Sequence, residues 1–451
     1  MALATVVGAM SGGCSTDAPA RGQWVVEVDT NAPLVGQLAG EPHWSDVAVD
    51  TLRVDIDGVE SEEFVLPDTP NWPVSFGVLP PSDGTRPTVR LRAFRAARAT
   101  PEPGQSVSNP IRSLAIDRLL ELPPIDAVTR VRVVLDLGCI GVLSQFGSAP
   151  ATCLDAEHPS VSPAASGQIV DGPRQGTLAG TSPFLEVAPC QKAASPDRVC
   201  IPGGLSVVGD PALSGVGNAT ILASPAPPRA LRFRPFWIDR TEVTVGRFKT
   251  IAGKFSELPD TPGGGLLKHC TWLGSSDASH DDWPLNCVSR AVAAEACALF
   301  GGKLPTEAQW EHAARGRGRG YRYPWGDAQP LCCRASMDRL QGNCASDAGP
   351  EPVGSHTGAD CGGLGDVSDD GVLDLAGSLT EFVLGDLLPY DDACWPSGTL
   401  PLDPECNTGL VPGTRGGVWS SRLQSAALAL RLIGQGGAVT DGFRCVYEDV
   451  P

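Results

Sequence analysis

Between Gln23 and Leu137 apolar and polar residues alternate with a period of two. In QWVVEVDT, Trp24, Val26 and Val28 point one way and Val25, Glu27 and Asp29 the other. In LRVDIDG, Leu52, Val54 and Ile56 oppose Arg53, Asp55 and Asp57. PVSFGVL, TVRLRAF and RVRVVLDL continue the pattern, separated by Pro, Gly and Asp turns. Successive side chains of a strand lie on opposite faces, so such a pattern covers one face and leaves the other to water. Short strands at this spacing predict an all-β, antiparallel sandwich domain over residues 20–138. The acidic DIDG ends one of these strands and reads as a solvated face and a turn rather than a calcium loop.

The alternation then stops. HPSVSPAASGQIVDGPRQGTLAGTSP is rich in Ser, Pro, Gly and Ala without a sustained period. Residues 139–197 are therefore expected to be a linker, bracketed by Cys139 and Cys153 before and Cys190 and Cys200 near its end. After Cys200 the texture changes again. VCIPGGLSVVGD predicts a strand with a Gly-rich turn, and FRPFWIDRTEVTVGRFK a strand entering a helix capped by Thr244. SRAVAAEACALFGG predicts a helix with its N-cap at Ser289 and its stop at Gly301. EAQWEHAA predicts one short helix, entered through Pro305, framed by a capping box of Thr306 and Gln309, and closed by Gly316. Short segments and loops dense in Gly and Trp follow.

A chain of 451 residues is long enough for two or three domains, and 42% apolar content excludes a largely disordered one. A net charge of −18 repels phosphate backbones and anionic membrane surfaces, so nucleic acid is not an expected partner. Fifteen cysteines with no CxxC pair, and six scattered histidines, favour disulfides over metal sites and point to an oxidising compartment. The opening MALATVVGAMSGGCS resembles a bacterial lipoprotein signal: residues 1–13 would be removed and Cys14 lipidated. Contact with a membrane would then run only through that N-terminal lipid. Fourteen cysteines remain, an even number, and Ser15 suggests sorting to the outer membrane of the cell envelope.

CIPGGLSVVGD, WIDRTEVTVGRF, NCVSRAVAAEACALFGGKLPTEAQWEHAARG, YRYPWGD, GVLDLAGSLTEFV, RGGVWS and DGFRC occur in the order found in the formylglycine-generating enzyme, or sulfatase-modifying factor, family. Residues 198–451 resemble that family. The resemblance implies an α+β, loop-rich, C-type-lectin-like formylglycine-generating-enzyme fold behind the all-β sandwich. In active members a motif Arg-Gly-Gly-Ser-aromatic-x-Cys, with a second Cys five residues on, binds copper(I) between two thiolates. The copper activates dioxygen, and a substrate cysteine is oxidised to formylglycine. Here the segment reads RGGVWSSRLQSAA: Arg415, Gly416, Gly417 and Trp419 match, but Ser421 and Ala426 stand at the two cysteine positions. A hydroxyl is a poor ligand for copper(I) and a methyl is none, so copper is not an expected cofactor.

A nucleophilic Ser420 or Ser421 would need a base and an orienting partner. The vicinal Cys332 and Cys333 lie outside the motif, and no added helical domain or histidine cluster suggests the family's iron-dependent sulfoxide synthases. Asp366, Ser368, Asp370, Gly371 and Asp374 mimic the start of a calcium loop without its closing Glu. Active relatives bind calcium near Ala-Gly-Asn-x-x-Glu; here Ser378 replaces the Asn while Glu381 remains, which leaves Glu381 as a weak calcium candidate. RGRGRGYR falls where the family has a variable loop, which suits a chain of this charge better than an RNA-binding box. The resemblance also implies a Cys297–Cys445 disulfide. Proximity along the chain suggests Cys139–Cys153, Cys190–Cys200, Cys270–Cys287 and Cys394–Cys406. Cys332 and Cys333 are then expected each to take one of Cys344 and Cys361. The expected function is that of an extracytoplasmic lipoprotein that binds an extended peptide or a glycan without catalysis. The alternatives are a divergent oxidase that still makes formylglycine from a substrate cysteine, and a structural envelope protein.

Overall fold

The structure, a computed structural model, describes residues 22–449 except 39–41, 57–59, 105, 126–127, 194, 211–221, 224–225, 317–318, 341–343, 345–347, 396–399, 410, 423–426 and 434–437. The signal segment 1–13, Cys14 and Ala426 lie outside the described residues. The chain divides into two compact units, one reaching to Leu185 and one taking in nearly all the rest.

In the first unit the alternating segments become strands. They are β1 (Gln23–Thr30), β2 (Thr51–Ile56), β3 (Glu60–Val65), β4 (Val74–Val78), β5 (Thr88–Phe94), β6 (Thr100–Pro101), β7 (Ser108–Asn109), β8 (Ile116–Glu121), β9 (Val128–Leu135) and β10 (Gln168–Ile169). Two four-stranded sheets result, ordered β10-β9-β1-β4 and β3-β2-β5-β8, beside a β6-β7 ribbon. Trp24, Val26 and Val28 of the first sheet and Leu52, Val54 and Ile56 of the second are all buried. At Gly167 a Cβ would lie 2.6 Å from Leu120 and 2.7 Å from Val131, so the two sheets close together there with no room for a side chain. The sandwich is not purely antiparallel: β1 pairs with β9 in parallel, Val26 opposite Val131. A parallel pair needs a long crossover, and the whole second sheet lies between these two strands.

The expected linker is also corrected. Residues 139–185 belong to the first unit. The buried Arg118 donates to the carbonyls of Cys153, Leu154 and Ser166 at 2.7, 2.8 and 2.6 Å. Buried Asp29 accepts from Thr177 Oγ1 at 2.5 Å and from Leu178 N at 2.9 Å. A segment without periodicity makes little regular structure of its own, but charged side chains from earlier strands satisfy its backbone and hold it down.

The second unit contains β11 (Arg198–Ile201), β12 (Gly204–Val208), β13 (Leu222–Ala223), β14 (Arg229–Phe233), β15 (Phe236–Asp239), α1 (Val245–Lys249), α2 (Arg290–Leu299), α3 (Glu307–Ala314), β16 (Thr380–Asp386), β17 (Pro412–Arg415), β18 (Arg431–Ile433), β19 (Asp441–Gly442) and β20 (Val446–Glu448). Its sheets run β11-β15-β20, β12-β14 and β13-β18-β17-β16-β19. Thr244, Ser289 and Thr306 cap the three helices, accepting from the amides of Arg247, Val292 and Gln309. Gln309 Oε1 returns the bond to Thr306 N at 3.0 Å, completing the capping box.

Helix α3 is buried on every side, its two glutamates included. Glu307 takes Arg431 Nη2 at 2.7 Å and Arg415 Nη1 at 3.1 Å. Glu311 takes Arg315 Nη1 at 2.8 Å, Gly209 N at 2.7 Å and a further bond from Arg415. Tyr390 donates to Glu311 at 3.1 Å. Arg415 and Arg431 face each other across β17 and β18, so one helix fixes two strands. A parallel arrangement lies beside it: Glu381 on β16 holds Arg444 Nε at 2.6 Å and Nη2 at 2.7 Å, and accepts Trp310 Nε1 at 2.9 Å.

Seven disulfides join Cys139–Cys153, Cys190–Cys200, Cys270–Cys287, Cys297–Cys445, Cys332–Cys344, Cys333–Cys361 and Cys394–Cys406. The Cys297–Cys445 bond spans 148 residues, and closing so long a loop is worth about 4–5 kcal/mol in the chain-entropy account.

Removing one partner of a buried ion pair strands the other charge, which costs about 3–5 kcal/mol. Arg431→Met is therefore expected to lower the stability of the second unit by that amount in urea titrations. Adding Glu307→Gln should recover part of the loss, whereas additive losses would show that the pair is not coupled.

Candidate functional site

Strand β17 delivers the chain to a tight turn. Gly416 adopts φ +92°, a conformation suited to glycine, and sits 3.0 Å from the Leu375 carbonyl by its would-be Cβ. A Cβ on Gly417 would fall 1.9 Å from the Ala376 carbonyl, so the turn presses directly on the 375–379 backbone. Trp419 is buried, donates its backbone N–H to Ser378 O at 2.8 Å and accepts from Arg339 N at 2.9 Å. The His269 ring lies 4.9 Å from its ring. Ser421 N donates to Val418 O at 2.9 Å, and Asp338 N donates to Ser421 O at 2.8 Å. The backbone at this position is therefore fixed from both sides.

The side chains there offer little chemistry. Ser420 and Ser421 are half-buried. Among the described residues, no histidine or carboxylate is hydrogen-bonded to either hydroxyl. All fourteen described cysteines are in disulfides, including Cys332 and Cys333, so none presents a thiolate. Among the described residues no group of three or more His, Cys, Asp or Glu side chains is arranged to hold a metal ion.

The residues weighed for calcium are engaged elsewhere. Both oxygens of Glu381 bond Arg444. Asp366 accepts the amides of Leu375, Ala376 and Gly377 at 2.9–3.0 Å. Ser368 Oγ accepts from Val372 N at 3.2 Å, and Asp374 from Gly354 N at 2.7 Å. These bonds tie the loop to its own backbone and to Gly354. Gly371 supplies the turn at φ +93°.

A group with no signature in the sequence braces the turn from behind. Arg339, whose amide binds Trp419, pairs through its guanidinium with Glu351 at 2.6 Å. Glu351 meets His356 Nε2 at 2.9 Å, and His356 Nδ1 faces the Cys333 carbonyl at 3.3 Å. Burial works against the Glu351 charge, but the bond from His356 and the charge of Arg339 prevail and hold its carboxyl down to about 2. Burial likewise opposes the imidazolium, yet bonds to Glu351 and to the Cys333 carbonyl raise His356 above its usual value. Glu351 and His356 stand five apart in a loop with no period, so nothing in the chain marks them as partners. Glu307 and Glu311 carried a faint signal, two acids four apart on a short helix otherwise made of Ala, Trp, Gln and His.

Comparison with known proteins bears on this geometry. The sulfatase-modifying factor enzyme 1-like domain matches residues 184–449. A formylglycine-generating enzyme of Streptomyces coelicolor is 30% identical over 162 residues, covering 29% of this chain and 50% of that protein. A hercynine oxygenase of Mycolicibacterium thermoresistibile is 38% identical over 105 residues, 22% of each. The chain thus spans half or less of these curated relatives. Among solved structures, PvdO from Pseudomonas aeruginosa aligns over 56% of this chain and 94% of its own, at 20% identity and a TM-score of 0.40. Treponema denticola variable protein 1 aligns over 56% and 99%, at 16% identity and a TM-score of 0.36.

The Glu351–His356 pair sets a pH dependence with two limbs. The depressed Glu351 contributes stability above the ordinary carboxylate range and loses it as pH falls toward 2. The raised His356 contributes below about pH 6.5 and loses it as pH rises through its own elevated value. His356→Ala is expected to cost roughly 1–2 kcal/mol at pH 5.5 and much less at pH 8.5, read from urea midpoints. An equal cost at both pH values would show that the charge on the imidazole is not involved.

Proposed function

The chain belongs to the sulfatase-modifying factor enzyme 1-like family, and from that premise we propose that it is a member that binds a ligand rather than oxidising one. The observation that carries this reading is the pair Ser421 and Ala426, at positions where active relatives place two cysteines. Copper(I) is a soft ion that needs thiolates, and neither a hydroxyl nor a methyl can replace them. The pairing of every described cysteine supports the reading from a second side, because it leaves no free thiol among the described residues to take over. The ligand is an extended peptide or a glycan, taken up on the loop-rich face around the Gly416–Ser421 turn. The calcium that active relatives use there is at most an accessory, since Glu381 is committed to Arg444.

The same proposal makes the protein a lipoprotein of the cell envelope. Lipidation at Cys14 would anchor it, with Ser15 favouring the outer membrane. The wealth of disulfides suits an oxidising compartment.

Purified protein is expected to show no tight copper(I) binding in competition with a chromogenic chelator, and no conversion of a Cys-x-Pro-x-Arg peptide. Ser421→Cys with Ala426→Cys together should gain copper binding, and either alone should not. Stoichiometric, tight copper(I) binding by the native chain would overturn the proposal. For the anchor, each buried acyl methylene adds about 0.8 kcal/mol, so Cys14→Ala should move the protein from the membrane to the soluble fraction. Unchanged membrane recovery would refute lipidation.

A further inference from the structure

Period-two alternation makes Arg53, Asp55, Arg90 and Arg92 the water-facing side of the second sheet in the first unit. The structure recesses them instead: Arg53 and Asp55 are only 5% and 8% exposed. Strand register aligns two rows across the sheet, Glu63–Arg53–Arg92–Asp117 and Ser61–Asp55–Arg90–Leu119. Arg53 thus stands directly opposite Arg92, a like-charge pairing that destabilises a sheet unless it is offset. Asp55 offsets it by bridging both, with Arg53 Nε at 2.8 Å and Arg92 Nη2 at 2.5 Å. Arg53 also reaches Glu102 at 2.5 Å, and Arg90 binds Asp117 through two nitrogens, at 3.0 and 2.5 Å.

Over this floor lies a groove of about 590 Å³. Phe146 forms part of its wall, 61% exposed, with the Arg90 guanidinium 5.3 Å from its ring centre. Leu119 and Pro150 add apolar lining.

We infer that this groove binds a neutral, hydroxyl-rich ligand, the end of an oligosaccharide. Three guanidiniums are matched by three carboxylates, those of Asp55, Asp117 and Glu102. A phosphate or carboxylate ligand would meet Asp55 and Glu102, and a cationic one would meet the arginines. An apolar ligand would strip water from a charged floor and return no hydrogen bonds. A sugar hydroxyl both donates and accepts, so it suits a groove lined by guanidiniums and carboxylates side by side. The C–H face of a sugar ring covers an exposed aromatic such as Phe146, which otherwise lies open to water. The volume falls within the 300–1,000 Å³ range of ligand pockets, enough for a short saccharide. This inference does not depend on the role of the Ser421 turn in the second unit.

The test uses the full chain, fluorescently labelled, on an array of neutral glucans, mannans and chitooligosaccharides beside sulfated and uronic oligosaccharides and unrelated peptides. Hits are titrated by calorimetry with the native protein and with Phe146→Ala. Phe146 is exposed, so the variant is expected to keep its melting midpoint, which is measured alongside. The expected result is binding to at least one neutral class, weakened tenfold or more in Phe146→Ala. Absence of neutral binding, binding that Phe146→Ala leaves unchanged, or a preference for charged oligosaccharides or peptides would each overturn the inference.

Discussion

The second unit rests on the burial of two carboxylates in one short helix. Taking Glu307 and Glu311 out of water is costly, and only cations held in good geometry offset it. Arg415 and Arg431 supply them from adjacent strands and Arg315 from the end of the helix itself. Burial still opposes the Glu311 charge, but Arg415 and Arg315 more than compensate and keep its carboxyl below the usual range. Since Arg415 is the residue just before the Gly416 turn, the helix sets where that turn begins. The loop-rich face has few regular elements to position it. A charge network in the core does that work, while disulfides hold the periphery.

The same division holds at the Gly416 turn. The turn is fixed by Gly416, Gly417 and Trp419 against the 375–379 backbone, and by Arg339 behind it. None of these contacts involves the side chain at Ser421. The packing of the turn is therefore separate from the side chain at residue 421, and the Glu351–His356 pair, linked to Arg339, belongs to its support.

Much of the architecture was legible in the chain because it depends on local rules. The strands from Gln23 to Leu135 follow alternation, and the helices begin where Thr244, Ser289 and Thr306 cap them. What could not be read depends on partners distant in sequence. The parallel β1–β9 pairing joins the two ends of the sandwich, and no local signal sets its direction. Residues 139–185 read as a linker because their order comes from Arg118 and Asp29, not from their own side chains. The recess over Arg53 and Asp55 was hidden for the same reason: alternation gives the face a residue points to, not what later lies over it. At the turn, Gly416 and Gly417 were legible from the RGG motif, whereas the Arg339–Glu351–His356 brace behind it was invisible.

The Cys297–Cys445 bond ties helix α2 to the residue just before the last strand and encloses most of the loops of the second unit. Within that ring, Cys332–Cys344, Cys333–Cys361 and Cys394–Cys406 form smaller loops. Exposed loops are the preferred sites of cleavage by proteases. A single cut anywhere inside the ring would open the chain but leave the two pieces covalently joined. The severed molecule would keep its last strand in register with β15, and with it the geometry of the fold, until a reductant arrived. The bond thus joins the pieces of a cut chain as well as closing the loop of an intact one.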